Sequence, residues 1–162
     1  MSDLNVIEPQ VSVADIGHIY RSTYLEQCAC IELWADRTLS MADERRGAKP
    51  RKTPLLSQKL AQLDRYAAED LDQPGDQRVF KSPGRIRTLI AQLRPFTDIR
   101  SILSHSMQSV HVATCGTHFY AYAPACGSRA ASLRLTLSER AQTRLLPQLR
   151  SIAKQLGDQR LR

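Results

Sequence analysis

The stretch SPGRIRTLIAQLRPFTDIRSILSH, residues 82–105, decides the fold. Ser82 followed by Pro83 is typical of the N-cap and first residue of a helix. Pro95 lies inside the stretch and predicts a kink or a split into two helical segments. The apolar residues recur three or four positions apart, as on one face of a helix; they are Ile86, Leu89, Ile90, Leu93, Phe96, Ile99, Ile102 and Leu103. We therefore expect a helical region that ends at His105.

Two further helices are predicted before this region. Apolar residues recur at helical spacing from about Ser12 to about Met41, which indicates one long first helix. Thr53 and Pro54 predict the N-cap and first residue of a second helix, which the polar run LDQPGDQ ends near Asp70. The first half of the chain is thus expected to be helical.

The pattern changes after the third helical region. The runs SVHVAT (residues 109–114) and THFYAYA (residues 117–123) are short and rich in β-branched or aromatic residues. The dipeptide Cys115-Gly116 separates them, so the two runs predict a β-hairpin. The run SLRLTL (residues 132–137) is a candidate third strand.

A last helix completes the order. Thr136 and Glu139 have the spacing of a capping box, and apolar residues then recur to about Leu156, with Pro147 as an expected kink. A length of 162 residues suits one domain with its own core. We therefore predict a mainly α fold, in which residues 1–162 form a single helical bundle with a small β-hairpin insertion.

Composition favours a globular protein in the cytoplasm. Apolar residues make up 42% of the chain and charged residues 24%, which is ordinary for a folded domain. The start MSDLNVIEPQ lacks the basic and apolar segments of a signal peptide. No window approaches the roughly 18 apolar residues that a membrane span requires, so we expect no membrane partner.

The net charge of +7 is unevenly distributed along the chain. Residues 1–44 carry eight acidic and two basic side chains, whereas residues 45–162 carry eight acidic and twenty-one basic ones. A basic body attracts polyanions, and RNA is favoured over a membrane because no lipid anchor or basic amphipathic terminus accompanies it. A basic, solvated surface without a partner is the alternative.

Several common site motifs are absent from the sequence. The seven glycines never cluster into a phosphate-binding loop, and no nucleophile elbow or zinc-protease motif occurs. His111, Cys115, His118 and Cys126 lie within sixteen residues and are types of ligand that zinc accepts. No pair of cysteines has the two-residue separation of zinc fingers and ribbons, so we predict ordinary hairpin residues and no metal site. A zinc-stabilised interaction protein is the alternative.

The end of the third helical region carries the main functional candidate. In DIRSILSH, residues 98–105, four residues separate Arg100 from His105. The pattern is short and has a high chance of coincidental matches. Its position adds weight, because the pair ends a helix rich in leucine and isoleucine, directly before a hairpin and on a basic body.

The helix order and the Arg-x4-His pattern formed by Arg100 and His105 resemble the HEPN superfamily (higher eukaryote and prokaryote nucleotide-binding domain). The similarity extends from the first helix, with Glu32 in ACIELWADRTL, to the last helix in TLSERAQTRLLPQL. Bacterial members of this superfamily include many RNases of toxin and phage-defence systems. The resemblance implies an HEPN-like bundle and a metal-independent endoribonuclease, with an antitoxin protein as a further partner. In the family, Asn, Asp or His commonly follows the arginine, whereas this chain has Ser101.

RNA cleavage by the neighbouring 2′-hydroxyl needs the chemistry that this pair offers. Histidine exchanges protons near neutral pH, so His105 is expected to act as acid and base. The guanidinium of Arg100 stays charged and matches phosphate oxygens, so it is expected to hold the phosphate and the transition state. Ser101 would assist by hydrogen bonding, and Glu32 would orient Arg100 from the first helix. No metal or other cofactor is needed.

Helix geometry limits the site that one chain can build. A separation of five residues turns two positions about 140° apart on a regular helix. Arg100 and His105 of one chain should therefore not meet unless the helix ends between them. The resemblance to HEPN RNases implies a two-fold homodimer in which both chains' Arg and His line one composite cleft, and isologous packing of the helix ends allows it.

Each of these residues also has a simpler interpretation. His105 would then be a helix C-terminal histidine that interacts with the dipole, and Arg100 a surface ion-pair partner of Asp98 or another acid. Glu32 would be a solvated carboxylate or one at the edge of the core. On that interpretation the chain is a non-catalytic HEPN-like binding or dimerisation module, which Ser101 favours.

Overall fold

The computed structural model describes residues 13–49, 55–111, 116–122 and 132–159. The described part of the chain is a mainly helical bundle with one small sheet, and the helical class predicted from the sequence is confirmed. The elements are α1 (Val13–Arg45), α2 (Leu56–Leu71), a 3-10 turn (Gly75–Gln77), α3 (Pro83–His105), β1 (Ser106–His111), β2 (Gly116–Tyr122), β3 (Ser132–Ser138) and α4 (Glu139–Gly157).

Helix α1 continues four residues beyond the predicted end near Met41. The reason is a glycine C-cap: Gly47 has a φ of 62°, a left-handed conformation that side chains disfavour. The Gly47 N–H donates to the carbonyl of Glu44 at 3.1 Å, and the Ala48 N–H donates to the carbonyl of Asp43 at 2.9 Å. These two bonds form a Schellman motif, which satisfies carbonyls that the helix end leaves free.

The start of α2 differs from its prediction. The helix begins at Leu56 with Leu55 as its N-cap, and no side chain caps it. The Leu55 carbonyl accepts from the Lys59 N–H at 3.0 Å, so the first turn closes on the backbone alone. The predicted cap at Thr53 and Pro54 is therefore wrong by two residues, and these two residues lie outside the described part of the chain.

Helix α3 begins at Pro83, as predicted, and the carbonyl of Ser82 accepts from the N–H groups one turn ahead. Of the kink or split predicted at Pro95, the split is wrong, because α3 continues through this residue to its end. Pro95 is exposed. Leu93 and Phe96 on either side of it are buried, so tertiary packing stabilises the helix both before and after the proline.

The three strands form one antiparallel sheet in the order β1-β2-β3. Ser106 pairs with Ala121, and Ala121 pairs with Leu133 on the other side. Strand β1 follows α3 without a loop, and β3 leads directly into α4. The sheet therefore joins the end of α3 to the start of α4.

The start of α4 lies two residues after the predicted capping box. Ser138 is the N-cap, and its hydroxyl accepts from the Ala141 N–H at 3.1 Å. Thr136 belongs to β3, where it pairs with His118 of β2. The prediction of a cap at Thr136 is wrong because strand pairing continues to Ser138 and delays the helix.

All four helices contribute to one cluster of buried apolar side chains. Tyr24 of α1 is fully buried at its centre, and its hydroxyl donates to the carbonyl of Phe96 of α3 at 3.0 Å. This bond gives a buried polar group a partner and ties the two helices together. Burial of a large side chain of this kind contributes about 2–3 kcal/mol.

Helix α4 is strongly amphipathic. Leu149, Ile152 and Leu156 are buried on one side, whereas the opposite side is polar and carries Arg140, Arg144, Arg150 and Lys154. Among the described residues, no helix is both long and apolar enough to span a membrane.

Candidate active site

Arg100 lies near the end of α3 and faces α1. Its Nη2 donates to Oε2 of Glu32 at 3.1 Å, so two residues that are 68 positions apart come together. The side chain of Arg100 is 32% exposed and that of Glu32 is 22% exposed. The predicted contact between them is present, with Glu32 reaching Arg100 from the first helix as expected.

The second oxygen of Glu32 belongs to another ion pair. Oε1 accepts from Nζ of Lys59 on α2 at 3.0 Å, and the same ammonium donates to Oδ2 of Asp36 at 2.9 Å. Lys59 is buried, with only 8% of its surface exposed. One carboxylate thus connects cations from two different helices, and we call Glu32, Asp36, Lys59 and Arg100 the charged network.

The charged network keeps Lys59 protonated. Burial by itself would lower the pKa of the ammonium, but the hydrogen bonds that it donates to Asp36 and Glu32 outweigh this effect and raise the pKa. Glu32 is therefore fixed between two permanent cations. Lys59 fixes the Glu32 carboxylate from one side. Because the carboxylate is fixed, it holds Arg100 in place from the other side.

Much of the Arg100 guanidinium remains available to a ligand. Glu32 occupies one of the five N–H donors that a guanidinium offers, through Nη2. A guanidinium can hold two oxygens of a phosphate at once, and its charge is permanent at any physiological pH. The partial exposure of Arg100 leaves a path for such a group from solvent.

Cys28 lies one turn before Glu32 and is 2% exposed. Burial raises the pKa of its thiol to about 11, Glu32 adds to this effect, and Arg100 opposes it. The thiol is therefore protonated at neutral pH, and Cys28 is not poised as a nucleophile.

Ser101 and His105 are the other two residues predicted for the site. Ser101 is exposed on α3, and within the described part of the chain its side chain has no hydrogen bond to Arg100 or Glu32. His105 is the last residue of α3. Its side chain lies outside the described part of the structure, so the roles predicted for it stay predictions. Since α3 is continuous, positions 100 and 105 differ by about 140° around its axis.

Arg100 does not form an ion pair with Asp98 in the described structure. Asp98 is exposed and precedes Arg100 by only two positions, and such positions point in different directions on a helix. The carboxylate that pairs with Arg100 is instead Glu32 on another helix. The simpler interpretation, in which Arg100 pairs with Asp98 or another acid, is therefore met by an acid on a different helix.

Sequence reasoning missed Lys59 and Asp36. A signal for Lys59 was present, since it falls between Leu56 and Leu63 on the apolar stripe of α2, where a charged residue is unusual. Asp36 follows Glu32 by one helical turn, so the two carboxylates share a face of α1. A lysine on an apolar face and a pair of acids on a neighbouring helix together indicate a buried ion pair.

The residues considered for zinc do not form a described site. No group of three or more potential metal ligands occurs among the described residues. The strand register places positions 111 and 118 on the same face of the sheet. Cys115 and Cys126 lie outside the described residues.

A change at Glu32 should distinguish the charged network from ordinary surface charges. Glu32→Gln removes the charge shared by Arg100 and Lys59, so we expect the free energy of unfolding to fall by about 1–2 kcal/mol. Asp36→Asn is the matched control, because Asp36 is half exposed and among the described residues its one ion pair is with Lys59; the loss should stay below about 1 kcal/mol. Urea unfolding measures both, and equal losses would contradict the central role of Glu32.

Comparisons with known proteins assign no family to the chain. No protein-family model, curated protein or solved structure gives a significant match. A function must therefore be argued from the charged network, the end of α3 and the distribution of charge.

Proposed function

We propose that the chain is a metal-independent endoribonuclease of the HEPN type, active as a homodimer. The observation that carries the proposal is the fixed but accessible guanidinium of Arg100 at the end of α3, held by Glu32, which in turn pairs with the buried Lys59. A cation kept in place before the substrate arrives is the arrangement that stabilises developing charge without reorganisation. The net charge of +7 favours a polyanionic substrate.

The proposed reaction uses the neighbouring 2′-hydroxyl of RNA as nucleophile. One His105 takes the proton of the 2′-hydroxyl as its oxygen bonds to phosphorus, and a second His105 protonates the 5′-oxygen as the phosphorus–oxygen bond breaks. The products are a 2′,3′-cyclic phosphate and a free 5′-hydroxyl. Arg100 binds the non-bridging oxygens, whose negative charge is concentrated in the transition state. Ser101 adds a hydroxyl at the same helix end.

The proposal requires two chains for a geometric reason. Positions 100 and 105 lie on different sides of one continuous helix, so a single chain does not direct both residues at one phosphate. A two-fold axis near the end of α3 would bring the Arg100 of one chain towards the His105 of the other. Isologous contact of this kind is the commonest form of protein dimer.

The biological setting in the proposal follows from the HEPN resemblance. RNases of this kind in toxin or phage-defence systems act in the cytoplasm, and an antitoxin protein restrains them until they are needed. Such a partner would cover the exposed end of α3, because blocking Arg100 would prevent phosphate binding.

A non-catalytic HEPN-like binding or dimerisation module is the second candidate. It is favoured by Ser101, which stands where RNases of the superfamily commonly have Asn, Asp or His. Ser101 also lacks a hydrogen bond to Arg100 within the described part of the chain. In such a module Arg100 would bind a phosphate without cleavage.

Incubation of purified protein with total RNA in EDTA tests the proposal. We expect the wild type to cleave RNA and His105→Ala to lose about 10²–10⁴-fold in rate, the usual contribution of a general acid or base. Arg94→Ala is the matched control, since Arg94 lies on the same helix and is 72% exposed; it should cleave normally. Equal degradation by wild type and His105→Ala would overturn the role of His105. RNA binding without cleavage by the wild type would favour the binding module.

A further inference from the structure

We propose that the outer face of α4 and the groove between α4 and α3 bind single-stranded RNA and lead it towards Arg100. This inference rests on the proposed function, because it describes the path of the substrate to the same site. We call this surface the α4 track; it is defined by Gln92 of α3 and, on α4, by Arg140, Arg144, Gln148, Arg150 and Lys154.

The cations of the α4 track lie along one face. Arg140, Arg144, Arg150 and Lys154 fall within about 120° of the helix circumference and extend over about 21 Å of its axis. All four of these side chains are exposed. None of the ion pairs between described residues involves any of the four.

The absence of an ion pair with another described residue distinguishes these four cations from several other arginines on the described surface. Arg46, Arg65 and Arg87 each pair with a carboxylate on the protein. An arginine already neutralised in this way gains less from a phosphate than an unpaired one does. The face of α4 therefore offers cations that are available to an external polyanion.

A groove runs beside this row of charge. It consists of two adjoining cavities of about 340 Å³ and 490 Å³, and Gln148 lines both of them. Gln92 and Ser151 line the first cavity, whereas Arg140 and Arg144 line the second. Charged and amide groups thus meet along one continuous surface.

The amides indicate which polyanion fits. Gln92 and Gln148 are exposed, and neither has a hydrogen-bond partner among the described residues. An amide both donates and accepts, as the exposed edge of an unpaired base does. Single-stranded RNA presents such edges beside its phosphates, whereas the anionic surface of a lipid bilayer has no bases to fill the groove. The combination therefore favours a single strand.

The α4 track leads towards the candidate active site. Phe96 lines the first cavity, and Arg100 follows Phe96 by four residues on α3. One helical turn, about 6 Å along the axis, therefore separates Phe96 in the first cavity from the position of Arg100 on the same helix. The first cavity and Arg100 are thus on neighbouring turns of α3.

The binding test uses a cleavage-deficient chain, His105→Ala, and a fluorescent single-stranded oligoribonucleotide followed by anisotropy. The variant carries Arg140→Gln, Arg144→Gln and Arg150→Gln. We expect its affinity to fall at least tenfold and the slope of log K against log salt to decrease by about 2, as three lost phosphate contacts on a single strand imply.

The matched control removes the same charge elsewhere. Arg21→Gln, Arg37→Gln and Arg65→Gln alter exposed or partly exposed arginines of α1 and α2 and should leave affinity within about twofold of the parent. Equal losses in the two triple variants would overturn the α4 track, because net charge alone would explain them. Replacing the same three α4 arginines by lysine should retain most of the binding, which guards against a folding defect.

Two more probes decide between ligands. If a DNA strand of the same sequence binds as tightly, the result supports the α4 track. It also means that the track recognises phosphates and bases without the 2′-hydroxyl. Binding to vesicles of anionic lipid, with no binding to either strand, would overturn the proposal in favour of a membrane surface. If the control and α4 variants differ as expected while the wild type cleaves nothing, the track stands and the nuclease proposal fails. If cleavage depends on Arg100 and His105 but the two triple variants behave alike, the track alone fails.

Discussion

An equimolar mixture of Arg100→Ala and His105→Ala chains should cleave RNA, although neither variant does so alone. In a composite cleft, each mixed dimer retains one Arg100 from one chain and one His105 from the other. Random exchange makes about half of all dimers mixed. We expect the rate of the mixture to exceed that of either variant by at least about tenfold, since one intact acid-base group restores part of a contribution of 10²–10⁴.

The mixture is prepared by brief exposure to mild denaturant, followed by refolding, so that subunits exchange. The matched control pairs Arg100→Ala with the double variant Arg100→Ala/His105→Ala, which never restores an intact arginine to any dimer. A mixture no more active than its components would contradict the composite cleft. So would full wild-type activity in a strictly monomeric protein.

Loss of the Asp70 carboxylate should have the largest effect on stability. Asp70 is 1% exposed; one of its oxygens accepts from the Phe80 N–H at 2.7 Å, and the other accepts from Nη2 of Arg46 at 2.6 Å. Asp70→Ala leaves a buried N–H and an arginine without this partner. We expect the free energy of unfolding to fall by about 3–5 kcal/mol, measured by urea unfolding.

Asp64→Ala is the matched control for this change. Asp64 lies on the same helix and also pairs with two arginines, Arg87 and Arg94, but these side chains are 44% and 72% exposed. Exposed pairs contribute little, so the loss should remain below about 1 kcal/mol. Similar losses at Asp64 and Asp70 would contradict the view that Asp70 anchors the segment after α2.

The helices could be predicted because burial imposes a period on the sequence, but their ends could not be placed as well. Thr136 and Glu139 have capping-box spacing, yet Thr136 is held in β3 by pairing with β2. Pro95 predicts a kink or a split, yet α3 continues through it with buried side chains on both sides. In each instance a contact between distant segments outweighed a local preference that the sequence expresses.

At the candidate site too, some residues could be predicted from the sequence, and others are revealed only by contacts between helices. The sequence links Glu32 to Arg100 only through the HEPN resemblance, which implies a role for both. Lys59 was missed, because the spacing along one helix does not reveal which carboxylate on another helix it meets. Helix geometry predicts only that Arg100 and His105 of one chain point in different directions, and a site built by two chains remains what the HEPN resemblance implies.

The sharing of Glu32 between two cations has a consequence for how the protein can change over evolutionary time. Lys59 and Arg100 lie on different helices but depend on the same carboxylate. A substitution at any one of the three positions changes how much the residues at the other two contribute to the free energy of unfolding. The effects of substitutions at these positions therefore do not add. Related chains should therefore keep or replace these positions as a set, and intermediates that change only one would be disfavoured.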